Sequence, residues 1–200
     1  LLPVLLSLRQ ENSTNKIMPY TEQDAQNLIR KVQRYQEVLE NTRLYRESWN
    51  KGLKKHITEH LQELAKLGGL MATVEARTDI QNLEAVVLTL GAVESGLGEP
   101  VVEGLHRDLI KHRGSLVYQQ LFNGKILVLI NYPYIEKYGE PQPPKTIAIY
   151  RPEELKEPYF IRHVENFVTE MTAWEDYDDD VMPDPNQRIG FKMNFEEAEK

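Results

Sequence analysis

The stretch Leu116-Val117-Tyr118-Gln119-Gln120-Leu121-Phe122, then Asn123-Gly124, then Lys125-Ile126-Leu127-Val128-Leu129-Ile130-Asn131-Tyr132-Pro133-Tyr134 decides the fold class. Both flanking runs are rich in β-branched and aromatic residues, which suit a pleated, half-buried surface. Asn-Gly between two such runs is the strongest short-range hairpin signal, because both central residues of the tight turn need a positive φ. A third strand-like run, Thr146 to Tyr150, follows a loop containing Gly139, Pro141, Pro143 and Pro144. Arg151-Pro152 then opens a helix running to about Trp174, with Phe160, Val164, Phe167, Val168 and Met171 directed inward.

Outward from this hairpin, the upstream part of the chain reads as helix. Thr21 precedes Glu22 and Asp24, so a hydroxyl stands ready to cap the free amides and acids complement the positive helix end. Apolar or small residues recur at Ala25, Leu28, Val32, Tyr35, Leu39, Thr42, Trp49, Leu53, Ile57, Leu61 and Leu64, mostly in steps of three and four, with breaks at Arg46 and Gly52. The pattern predicts a long amphipathic helix or a helical hairpin over residues 18–69, capped at Gly68-Gly69. Residues 30–66 hold nine bases and five acids, a local charge of +4.

Between helix and hairpin the periodicity is divided. Ala72, Val74 and Ala76 alternate as in a strand, whereas Ile80, Leu83, Val86, Val87, Leu90, Val93 and Leu97 keep helical spacing. Pro100 suits the first turn of a short helix to about His112, with Val101, Leu105 and Leu109 on one face. The fold expected from these segments is α+β: an antiparallel sheet of three to five strands packed with helices over residues 70–174, preceded by the long helical element.

The ends read differently. Leu1 to Leu8 has the length of a signal-peptide core but lacks a basic segment before it and a small-residue cleavage site after it. Residues 1–17 are therefore expected to be a non-native or disordered leader, with the natural start at Met18. Residues 175–200 carry nine acids against three bases, a charge of -6 out of the chain's -7, and read as a flexible acidic tail that has the option of folding back on the basic helix. Asp176, Asp178, Asp179 and Asp180 lack the spacing of a calcium loop.

Composition removes several function classes. The net charge of -7 argues against a generally basic nucleic-acid binder. With no cysteine, thiol catalysis, thiolate zinc sites and iron-sulfur clusters are excluded, and a cytoplasmic location is expected rather than a disulfide-built secreted one. No apolar window is long enough for a membrane span. Nucleophile elbow, phosphate loop and dinucleotide fingerprint are all missing from the sequence.

One pentapeptide carries chemistry. His56-Ile57-Thr58-Glu59-His60 places two histidines four apart on one helical face, where both rings can point a nitrogen at one zinc ion, and Glu59 between them is the candidate general base. The pentapeptide resembles the His-x-x-Glu-His motif of the inverzincin metallopeptidases. That resemblance implies a further glutamate ligand well downstream, and Glu136 stands at a suitable separation. It covers this motif alone, not the surrounding chain.

The segment from Tyr132 to Pro144 has three tyrosines and four prolines, a stiff amphipathic loop of the composition that interfaces favour. Tyr132, Tyr134, Tyr138 and Pro141 are the partner-binding candidates. The leading expectation is a non-catalytic protein-interaction domain without a cofactor, self-associating or docking a protein partner through the long helix and this loop. The alternative from another class is a zinc-dependent hydrolase built on His56, His60 and Glu136.

Overall fold

A computed structural model describes residues 20–102 and 105–176. The expected leader over 1–17 and nearly all of the expected acidic tail over 175–200 lie outside the described residues. The chain divides into two compact units, one holding Leu1–Glu40 and the other Asn41–Lys200.

Helix α1 (Glu22–Ser48) begins as its sequence suggests. The Asp24 amide donates to Thr21 Oγ1 at 3.2 Å while the Thr21 amide donates to Asp24 Oδ2 at 3.0 Å, a reciprocal box that satisfies two otherwise free donors. Trp49–Leu53 is a π-helical turn, and α2 (Lys54–Leu67) continues from it. The path is therefore one interrupted helix, not a hairpin. The sequence gives a reason for the interruption: Trp49, Leu53, Ile57, Leu61 and Ala65 repeat in strides of four. In an α-helix each such stride overshoots a full turn by about 40°, so the stripe would drift off the core, and one wider turn takes up part of that drift. Trp49, Ile57 and Leu61 are all fully buried. The helix stops at Gly68-Gly69, where the Leu70 amide donates back to the Ala65 carbonyl at 2.8 Å.

Among the described residues eight strands follow: β1 (Thr73–Arg77), β2 (Ala85–Thr89), β3 (Ala92–Val102), β4 (Leu105–His112), β5 (Ser115–Gln120), β6 (Ile126–Asn131), β7 (Tyr134–Ile135) and β8 (Lys145–Tyr150). Helix α3 (Glu157–Glu175) closes the described chain, preceded by a single 3-10 turn at Pro152–Glu154. One sheet has the order β1-β2-β5-β6-β8 and the other β3-β4-β7, with every pairing antiparallel. The α+β class is as read from the sequence, with five strands in the main sheet and a second sheet of three beside it.

One segment decides a divided reading and another differs from expectation. Residues 73–89 form the hairpin β1–β2, which settles the divided periodicity in favour of strands. The short helix expected from Pro100 to His112 is instead strand β4 and the end of β3. Three apolar residues spaced by four cannot distinguish a helix from a strand that is mostly exposed, and the deciding interaction is the β3–β4 pairing. That ribbon continues the β2–β5 ladder directly: Leu90 donates to the Gly114 carbonyl and Arg113 to the Gly91 carbonyl. Both glycines have positive φ, 78° at Gly91 and 93° at Gly114, so the two strands bend together where they leave the main sheet.

The core is one face of the five-stranded sheet under α2 and α3. Val86 and Leu88 of β2, Leu116 and Tyr118 of β5, and Ile126, Val128 and Ile130 of β6 pack with Ile57, Leu61 and Ala65 from α2 and Phe160, Phe167 and Met171 from α3. On α3, Val168, expected to point inward, is exposed; the buried stripe instead runs Phe160, His163, Phe167, Met171. Turn residue Gly124 of the β5–β6 hairpin seats against the C-terminal part of α1, where Arg46 donates to the Phe122 carbonyl. Lys54 and the Trp49 indole both donate to Glu84 Oε2, at 2.7 and 3.0 Å, tying the helix to the start of β2.

Candidate functional site

The first surface with a possible use lies on α1. None of its 27 residues is buried. Within Leu1–Glu40, Leu28, Ile29, Val32, Tyr35 and Leu39 are between 44% and 62% exposed. Their spacing follows a heptad seam, with Ala25, Val32 and Leu39 at one core position and Leu28 and Tyr35 at the other. The opposite face is polar and carries the ion pair Arg34–Glu37 at 2.9 Å.

The second is the histidine pair on α2. One helical turn apart, the His56 and His60 rings have centroids 4.1 Å from each other, and both rings rest on Phe160 of α3. His60 Nδ1 lies 3.1 Å from the His56 carbonyl. A carbonyl only accepts, so Nδ1 carries the proton and the lone pair is on Nε2. That nitrogen is 3.7 Å from Glu157 Oε1, at the first turn of α3. Ligand atoms of His56, His60 and Glu157 all lie within 4.8 Å of one another.

The carboxylate brought to the histidines is therefore Glu157. Glu136 sits in the turn after β7, where it pairs with Arg107 at 3.3 Å and with His112 Nε2 at 3.7 Å. Glu59 is on the outer side of α2, exposed and paired with Lys55 at 3.6 Å. Nothing local in the sequence links Glu157 to the motif, since 97 residues separate it from His60.

The tyrosine-proline loop divides between inside and outside. Tyr132 donates its hydroxyl to Glu170 Oε2 at 2.6 Å, and burial together with that carboxylate pushes its pKa above the ordinary tyrosine value. Tyr134 stacks on His112 with centroids 4.5 Å apart, Tyr138 is half-buried, and Pro141 is exposed.

Another histidine, outside any motif, is buried in the core. His163 is 2% exposed and bridges two tyrosines, with Tyr118 Oη 2.8 Å from Nδ1 and Tyr150 Oη 3.1 Å from Nε2. Burial pushes its pKa down to about 4, so the ring is neutral and one tyrosine donates to it while the other accepts. Its position three residues after Phe160 and four before Phe167 is the sequence signal that marks it as a core residue.

A cleft of about 730 Å³ opens between α3 and the end of β4, lined by Leu70, Leu90, Lys111, Phe167 and Met171 among others. Lys111 pairs there with Glu175 at 2.7 Å and lies over the Trp174 ring. No helix among the described residues is long and apolar enough to cross a membrane. Comparisons with protein-family models, with curated proteins and with solved structures give no match to this chain.

Proposed function

We propose that the chain is a protein-interaction module that pairs with a second copy of itself through the seam on α1. The observation that carries this reading is a helix of 27 residues with no buried residue and a continuous apolar seam. A helix of this kind gains most of its stability from covering an amphipathic face, not from propensity. The 3–4 stride is self-complementary. An antiparallel pair centred between Val32 and Tyr35 sets Leu28 of one copy beside Leu39 of the other and Val32 beside Tyr35, which is large against large at the ends and small against large in the middle. Burying five half-exposed apolar side chains from each of two copies is worth on the order of 10 kcal/mol before the cost of association, enough for a reversible dimer.

The test is molar mass in solution, by sedimentation equilibrium from low to high micromolar. Wild type is expected to reach the mass of a dimer, while Leu28→Glu/Leu39→Glu stays monomeric and Gln33→Glu, on the polar face, still pairs. A wild type that remains monomeric at the highest concentration defeats the reading, as does a doubly charged variant that still dimerises.

A further inference from the structure

We propose that His56, His60 and Glu157 form a binding site for a single zinc ion that clamps the first turn of α3 to α2. This does not depend on pairing through α1, because all three residues belong to the unit Asn41–Lys200.

Three observations converge on the site. The donor set is two imidazoles and one carboxylate, a combination suited to zinc with a fourth position left for water. The orientation of His60 is already set, because its Nδ1–H is held by the His56 carbonyl at 3.1 Å, which leaves Nε2 as the ligand atom, 3.7 Å from Glu157 Oε1. Metal-bound histidines characteristically donate their other ring nitrogen to such a carbonyl or carboxylate, which holds the tautomer and the ring plane. The spacing is also close to what the ion needs. His60 Nε2 and Glu157 Oε1 are 3.7 Å apart, too far for a hydrogen bond. Two ligands at zinc distance on a tetrahedron stand about 3.3 Å from each other.

The widest separation in the cluster is within 4.8 Å, so closure requires an inward movement of about 1 Å or somewhat more. On the carboxylate's side the movement is unhindered, since the Glu157 side chain is 73% exposed. The histidines are held more firmly, against each other and against Phe160. The role assigned is a clamp between helices and not a catalytic centre, because Glu59 is paired with Lys55 on the outer side of α2.

The experiment uses the full chain without a histidine tag, stripped of metal with a chelator and titrated with zinc by calorimetry, with the thermal midpoint measured beside it. One equivalent of zinc per chain is expected, with a rise of about 5 °C in the midpoint at a hundredfold excess over Kd. His56→Ala/His60→Ala is expected to abolish binding and Glu157→Gln to weaken it at least tenfold, while Glu136→Gln binds as wild type does. Glu157→Gln carries the test if the histidine pair proves necessary for packing against Phe160, because an exposed side chain can be changed without disturbing the core. The proposal is overturned if wild type takes up no zinc, or if Glu157→Gln binds it undiminished.

Discussion

Gly124→Ala is expected to be far more damaging than the addition of one methyl group suggests. Gly124 has a φ of 75°, a left-handed conformation that costs an alanine about 1 kcal/mol. A Cβ built there would also lie 2.6 Å from Tyr45 Cβ, 3.1 Å from the Arg46 amide nitrogen and 3.1 Å from the Thr42 carbonyl oxygen. Two of these three contacts are helix backbone, which cannot turn aside as a side-chain tip can. Overpacking of this kind costs about 1–3 kcal/mol, so the total is about 2–4 kcal/mol. Gly91→Ala separates the two contributions, because Gly91 has a φ of 78° but nothing within 4 Å of its would-be Cβ. It should cost only the conformational share, about 1 kcal/mol. The assay is equilibrium urea unfolding of wild type and both variants, followed by tryptophan fluorescence, since Trp49 is fully buried one turn beyond the contact. Equal destabilisation by the two substitutions would refute the reasoning, for it would mean that the hairpin turn does not seat on α1.

Two further outcomes follow from the core. His163 binds its proton with a pKa of about 4 when folded and near 6.5 when unfolded, so between these values the unfolded chain carries the extra proton and stability falls as pH drops. The loss from pH 7 to pH 4 should be about 2–3 kcal/mol beyond that of His163→Gln, measured by urea unfolding at each pH; parallel profiles for the two proteins would contradict it. Glu84→Gln retains an acceptor for the Trp49 indole but leaves Lys54 without its carboxylate, whose pKa that lysine's hydrogen bond holds below the ordinary value. A cost of about 1–2 kcal/mol is expected from thermal unfolding, and an unchanged midpoint would show that the Lys54–Glu84 link does not hold the helix to the sheet.

The contrast between Glu136 and Glu157 shows where a sequence stops being informative about a site. His56 and His60 are one turn apart, so helical geometry alone places them together. The carboxylate beside them comes from another element, and its selection depends on where α3 crosses α2. Glu136 has a suitable separation along the chain, yet the β4–β7 pairing holds it beside His112 and Arg107. The same limit applies to Tyr132, whose aromatic and proline-rich surroundings suggest a surface although its hydroxyl is taken by Glu170 from α3.

What the chain determines locally is therefore considerable: the capped start of α1, the stop at Gly68-Gly69, the Asn-Gly hairpin, the inward Phe160, Phe167 and Met171 of α3 and the α+β class all follow from short-range periodicity and turn chemistry. Tertiary structure alone decided the rest. It turned residues 105–112 into a strand through pairing with β3, because a ribbon whose described side chains bury only Leu109 offers no alternation to read. It divided one run of apolar residues into a buried part, Trp49 to Ala65, and an exposed part, Leu28 to Leu39, since the same helical pattern is written whether or not a face meets the chain's own sheet. It also brought Glu157 to the histidines, a contact between residues 97 apart that no local rule encodes.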